Sequence, residues 1–294
     1  MKPPREAAAG FPEAVRVDGA PGTELSVIDR GLHYGDGLFE TIACAGAKPR
    51  LLDRHLHRLA RGCERLKIAP PDMDVLDAEV RELAASAPRS IVKILVTRGP
   101  ARARGYGVSG SEIPSRVTFR YSWPAEEPAA ARDGVQVRLA ATKLGENATL
   151  AGLKHCNRLE QVLARSEWDD PAIAEALMFS SSGALISGTM SNVFLVHDSR
   201  LLTPRLDRCG VAGIMRALIL EEAAQAAIPV VECRIEAAAL EQASELFLSN
   251  ALWGVRPVRA LGDVSLGPGE LTRHLQRRVA ARLAALDGRQ ADDV

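Results

Sequence analysis

The stretch PAEEPAAARDG, residues 124–134, constrains the fold more than any other feature. It combines prolines, small residues and charges of both signs in one run, the composition of a linker. It divides the chain into a flexible tail (1–14), a small N-terminal domain (15–127), a linker (128–133) and a larger C-terminal domain (134–294). With 294 residues, 47% of them hydrophobic, the chain is long enough for two modest domains, each with a core of its own.

The pattern on either side of the linker differs. On the N-terminal side, ELSVIDRGLHYGDGLFETIACAGAKPRLL reads as short β segments around a Gly-Asp-Gly turn. DRHLHRLARGCERLKI sets Leu56, Leu59, Cys63 and Leu66 at helical spacing, and this helix ends near Ile68, before Pro70-Pro71. A second helix is predicted over 73–86, and SIVKILVTRG and SRVTFRYSWP read as strands. Beyond the linker come a strand at 135–141, a helix at 155–168 and strands near 175–179, 184–186 and 192–196. A helix at 212–227, strands in PVVECRI, ELFLSNA and VRPVRAL, and a last helix at 270–286 follow. This order predicts an α+β N-terminal domain and an α/β C-terminal domain.

Charge and cysteine content exclude several functions. Thirty-seven basic residues cancel thirty-seven acidic ones, so no electrostatic footprint marks a nucleic acid or an anionic membrane as partner. The five cysteines form neither a CxxC pair nor a paired framework, which points to a reducing cytoplasm. The N-terminus has no apolar leader-like run, and no stretch is long enough to span a membrane.

Several local patterns can carry chemistry, each beside a plainer reading. Lys154, in LAGLKHCNRLEQV, stands where a loop is expected to become a helix; it is either a solvated surface lysine or a desolvated amine able to attack a carbonyl. In DRCGVAGIMRAL two glycines precede an apolar helix, so the N–H groups of Ile214 and Met215 form either an anion cup or a simple turn. Neither a GxxxxGK[ST] nor a GxGxxG signature is present, so nucleotide binding is not supported. His55 and His57 are spaced i, i+2, face different sides of a helix and make a poor metal pair, so no metal is expected. Arg58 reads as a helix charge or a phosphate ligand. The loop TRGPARARGYG offers Arg98, Arg102, Arg104 and Tyr106 as donors for carboxylates, or as an exposed basic hairpin.

Taken in order, DRGLHYGDGLFET, HLHRL, TRGPARARGYG, LAGLKHCNRLEQVLARSE, SGTMSNVFLV, TPRLDRCGVAGIMR and LSNALWGVRPV resemble the two-domain fold-type IV pyridoxal-phosphate enzymes over about 15–285. Arg104 to Tyr106 (RGY) and KHCNRLEQV most resemble the aminodeoxychorismate lyase branch, with Cys156 where leucine is usual. The resemblance implies pyridoxal 5'-phosphate as cofactor, carried on Lys154, with its phosphate held by Arg58, by the N–H groups of Ile214 and Met215, and by Asn250. It implies a small-molecule substrate met by Arg104, Tyr106 and Arg98, and a homodimer. The implied reaction converts 4-amino-4-deoxychorismate to 4-aminobenzoate and pyruvate. Two alternatives stay open: an aminotransferase acting on D-amino or branched-chain amino acids, and a non-catalytic module on the same scaffold. One position departs from the pattern: where relatives commonly carry the glutamate of a TEG motif, paired with the cofactor's pyridine nitrogen, this chain has Ser187.

Overall fold

The computed structural model describes residues 10–124 and 128–288. They divide into two compact units: 10–124 with Lys154–Asn157 and 286–288, and 128–153 with 158–285. The segment bearing Lys154 therefore counts with the N-terminal unit, although the linker precedes it.

The first unit contains β1 (Ala14–Val17), β2 (Ala20–Pro21), α1 (Arg30–Tyr34), β3 (Gly37–Ala45), β4 (Lys48–Pro49), α2 (Leu52–Leu66), α3 (Met73–Ala85), β5 (Arg89–Thr97) and β6 (Ser115–Ser122). Its strands form one antiparallel sheet in the order β2-β1-β6-β5-β3-β4. Alternation along β3 and β5 sends Leu38, Ile42, Cys44, Val92, Ile94 and Val96 into a core with the apolar stripes of α2 and α3. On α2 that stripe is Leu52, Leu56, Leu59 and Cys63. Asp72 starts α3 by accepting from the backbone N–H groups of Asp74 (3.0 Å) and Val75 (3.1 Å). Positions 1–9 of the expected tail lie outside the described residues. The remainder is not loose: the Glu13 N–H already donates to the Arg120 carbonyl at 2.7 Å, just before β1.

The second unit contains α4 (Pro128–Asp133), β7 (Val135–Leu139), α5 (Leu159–Arg165), β8 (Ile173–Phe179), β9 (Leu185–Gly188), β10 (Asn192–His197), β11 (Arg200–Pro204), α6 (Ile214–Gln225), β12 (Val230–Cys233), α7 (Ala238–Glu241), β13 (Glu245–Asn250), β14 (Gly254–Leu261), β15 (Val264–Ser265) and α8 (Glu270–Asp287). Its sheet runs β12-β11-β10-β13-β14-β7-β8-β9, with β15 paired to β14. The expectation of an α/β sheet needs refining. Only β11–β12, β14–β7 and β7–β8 pair in parallel, while the hairpins keep the rest antiparallel. Phe194 and Phe247, opposite each other on β10 and β13, stack with ring centroids 4.8 Å apart. The expected linker at 128–133 is the short helix α4, since Ala129–Arg132 are good helix formers behind a proline that suits a first turn. Among the described residues no helix is long and apolar enough to cross a membrane.

Candidate active site

In the first unit β3 gathers Lys154 at Phe39 and, on its other face, His55 and Arg58 of α2 at Glu40. Residues 154–156 run antiparallel to the start of β3: Phe39 N–H donates to the Lys154 carbonyl (3.0 Å), and Cys156 N–H to the Gly37 carbonyl (2.9 Å). The expected helix at 155–168 therefore begins only at Leu159, because these backbone groups already have strand partners and cannot open a helical turn. Lys154 is not a helix-start residue. It is half-buried, with its ammonium 4.3 Å from the centroid of the Phe39 ring.

Glu40, the next residue along β3, points to the other face and is 1% exposed. His55 and Arg58, one turn apart on α2, converge on it. Arg58 donates Nε to Oε1 (2.8 Å) and Nη2 to Oε2 (2.5 Å), and His55 Nδ1 lies 2.7 Å from Oε2. Burial pushes the Glu40 carboxyl up, but the Arg58 charge and the hydrogen bonds from His55 and Arg58 outweigh it and hold the group at about 2. Burial pushes His55 down, with the nearby Arg58 and Lys154 charges adding to the effect, and the pull of Glu40 only partly offsets it. The imidazole is therefore neutral near pH 7, and Nδ1–H donates to the ionised Glu40. His57 is exposed, and no metal-binding group of histidine, cysteine, aspartate and glutamate occurs among the described residues.

The arginines of the 98–107 loop behave differently from one another. Arg98 is buried and donates to Asp36 through Nε (2.8 Å) and Nη2 (3.1 Å), to the Leu66 carbonyl (2.7 Å) and to that of Lys67. The guanidinium, expected among the substrate ligands, here satisfies the carbonyls at the end of α2. Arg104 and Tyr106 are exposed, and the Tyr106 ring tilts against Tyr34 with centroids 5.3 Å apart.

In the second unit, Gly152 N–H donates to the Gly210 carbonyl (2.9 Å) and Ala212 N–H to the Gly152 carbonyl (3.1 Å). These bonds fasten the stretch before position 154 to the stretch that opens α6. Ile214 and Met215 are the first residues of α6, whose N-cap, Gly213, supplies no side chain. Asn192 Nδ2 donates to the Val211 carbonyl at 2.9 Å. A Cβ at Gly213 would overlap Asn192 Oδ1, so any larger residue there has to displace the Asn192 amide from its bond to Val211. The turn is thus shaped with its first-turn N–H groups unshielded by a cap, the arrangement that accepts a phosphate.

Asn250 Oδ1 accepts from the Leu252 N–H (3.0 Å) and the Trp253 N–H (2.8 Å) and builds the β13–β14 turn. Ser187, in β9, is buried and donates its hydroxyl to the Gly188 carbonyl at 2.8 Å. Beside it Glu175, fully buried on β8, accepts from Thr189 N–H (2.9 Å), Met190 N–H (3.1 Å) and the hydroxyls of Thr189 (2.5 Å) and Ser191 (2.9 Å). Sequence reasoning missed Glu40, Glu175 and Asn192, and treated His55 as ordinary. A carboxylate inside an apolar strand such as LFETIA or IAEALMF was the available signal, since a buried charge requires partners.

Residues 37–261 match the family model for amino-transferase class IV, and the chain belongs to that family. Within it, the chain is 35% identical to the aminodeoxychorismate lyase of Vibrio harveyi over 88% of its own length and 97% of the relative's. The crystal structure of 4-amino-4-deoxychorismate lyase from Pseudomonas aeruginosa is similar at a TM-score of 0.88 and 45% identity, covering 92% of this chain and 99% of that one. The branched-chain amino acid aminotransferase of Escherichia coli shares the fold at a TM-score of 0.82 and 21% identity, covering 91% and 93%.

Proposed function

We propose that the chain is a pyridoxal-phosphate-dependent lyase that converts 4-amino-4-deoxychorismate to 4-aminobenzoate and pyruvate. The similarity to the Pseudomonas aeruginosa lyase along nearly its whole length carries this reading. The residues present fit the cofactor. Lys154 offers an amine against an aromatic face, Arg58 a guanidinium held in one orientation, and Ile214 and Met215 uncapped N–H groups at a glycine turn. In the proposal Lys154 carries the cofactor, and Arg58 with the two N–H groups holds its phosphate. When bound, the cofactor supplies an electron sink that acidifies the ring C–H beside the substrate's amino group.

The chain's own residues do the remaining work. With the cofactor bound, Lys154 Nζ would accept the proton from ring C4 of the substrate. The bond from the ring to the enolpyruvyl oxygen then breaks with its electron pair going to that oxygen, the released enol takes up one proton to become pyruvate, and the ring is left aromatic. Arg104 and Tyr106 meet the carboxylates of the substrate. His55, neutral beside the anionic Glu40, keeps the charge around Arg58 constant across neutral pH.

Ser187 supports elimination over amino transfer. A hydroxyl cannot hold a full positive charge on the cofactor's ring nitrogen as a carboxylate does, and aromatisation lessens the demand on the sink. The reading extends to a homodimer in a reducing cytoplasm, the compartment being supported by five free cysteines. Incubation with 4-amino-4-deoxychorismate should yield 4-aminobenzoate and pyruvate in equal amounts without an amino acceptor. Absence of both products sinks the lyase, and turnover that needs an amino donor and a 2-keto acid would identify an aminotransferase. Sedimentation measures the assembly.

A further inference from the structure

Between 101 and 114 the chain has no helix or strand, and most of this loop is exposed, including Arg104 and Tyr106. Over 105–107 its backbone carbonyls are gathered by a single side chain. Arg30, at the start of α1 and 5% exposed, donates Nη1 to the carbonyls of Gly105 (3.1 Å) and Gly107 (3.3 Å), and Nη2 to that of Tyr106 (3.2 Å). Successive carbonyls of an extended chain point in opposite directions, so three consecutive ones can meet one cation only if the backbone curls around it. Gly105, at φ +103°, provides that curl. The Arg30 guanidinium also lies 5.0 Å from the Tyr34 ring centroid, and Tyr34 in turn meets the Tyr106 ring.

The clamp is anchored. Arg30 Nε donates to Asp36 at 2.9 Å, and the same carboxylate receives Arg98, which is bonded to the end of α2. Burial pushes the Asp36 carboxyl up, but the hydrogen bonds and charges of Arg98 and Arg30 hold it below its ordinary value, so it stays ionised between them. A chain of charge-assisted bonds thus runs from the core helix α2 to the backbone of 105–107.

We propose that Arg30 is a positioning residue that fixes the backbone of Gly105–Gly107 and so presents Arg104 and Tyr106 in the conformation that receives an anionic substrate. The role in substrate binding rests on the lyase reading; the clamp on the loop does not. Neither Arg30 nor Asp36 touches substrate. Arg30 shapes the loop before substrate arrives, so its loss acts on substrate affinity and leaves the proton transfer at Lys154 unchanged.

The test is Arg30→Met alongside Arg30→Lys, which keeps a charge beside Asp36 but lacks the fork to span three carbonyls. In the cofactor-loaded protein, tryptic cleavage after Arg102 and Arg104 should quicken in both variants, while amide hydrogen exchange shows that β3 and α2 keep their protection. If the binding-competent loop falls to roughly a tenth of the population, KM for 4-amino-4-deoxychorismate rises about tenfold with kcat within about twofold. Unchanged cleavage after Arg102 and Arg104 in a folded Arg30→Lys overturns the clamp. Equal loss of kcat with unchanged KM overturns the positioning role. If wild type makes no 4-aminobenzoate, the lyase reading fails, and the cleavage result still decides the clamp. Should Arg30→Met fail to fold, Arg30→Lys decides alone.

Discussion

Glu40→Gln keeps the shape of a buried side chain and removes its charge, which isolates what the carboxylate does for Arg58 and His55. Glu40 is 1% exposed, and the Arg58 side chain is 15% exposed. Removing one partner of such a buried pair costs about 3–5 kcal/mol. The fall of the Glu40 carboxyl from its ordinary 4.5 to about 2 independently corresponds to about 3 kcal/mol of preference for the charged form. Because Arg58 retains some contact with water, we expect the lower end, about 3 kcal/mol at pH 7. The sign of the pH dependence follows from a depressed carboxyl. The stabilisation is fully present above 4.5, and it is lost as pH falls from 4.5 towards about 2, where the folded group takes up its proton. The penalty of the substitution should therefore shrink on acidification, by up to about 1.4 kcal/mol per pH unit below 4.5. The chain has two compact units, so a single unfolding curve need not be two-state; hydrogen exchange in β3 and α2 at graded urea reads the first unit directly. A loss below about 1 kcal/mol at pH 7, or a loss that stays constant down to pH 3, would refute the reasoning.

Other substitutions address the remaining parts of the site. Lys154→Ala should lower 4-aminobenzoate formation by more than about a hundredfold and remove any visible absorbance band of the loaded protein; a retained band would show that another amine holds the cofactor. Ser187→Glu should raise side transamination relative to elimination, and unchanged rates of both would remove position 187 as the partner of the ring nitrogen. Gly213→Ala should weaken cofactor binding and destabilise the second unit by about 1–3 kcal/mol, because its new methyl overlaps Asn192 Oδ1; thermal shift with and without cofactor measures both. Wild-type stability should also begin to decline as pH drops through 6.5, where the unfolded chain protonates a histidine that stays neutral when buried as His55; His55→Gln should flatten that part of the profile.

How far the sequence foretold these features depends on the range of the forces involved. Elements with strong periodicity were legible: Leu56, Leu59 and Cys63 mark α2, and Met73–Ala85 nearly fills the predicted 73–86. The start of α5 was not, because residues 154–156 pair with β3, over a hundred positions upstream, and local propensity contains no trace of that partner. The same holds for Arg98. In sequence it belongs to a run of arginines that reads as donors for carboxylates or as an exposed hairpin, yet the fold places the end of α2 and Asp36 around it. Lys154 reads as ordinary by spacing and as reactive by its company of motifs, and no local pattern foretells its place on the Phe39 ring. Glu40 escaped notice because a strand pattern identifies which face a residue takes but not which charges await it there.

The double hydrogen bond from Arg58 to Glu40 has a thermodynamic consequence for the protein without its cofactor. A free arginine side chain carries about 2 kcal/mol of rotamer entropy, which an unrestrained phosphate ligand would surrender at the moment of binding. Here that ordering takes place when α2 docks on β3, so the folding equilibrium bears it and the binding equilibrium does not. In the proposed role of Arg58 as phosphate ligand, affinity is thereby drawn in advance from the stability of the protein, and a variant that frees Arg58 should loosen both together.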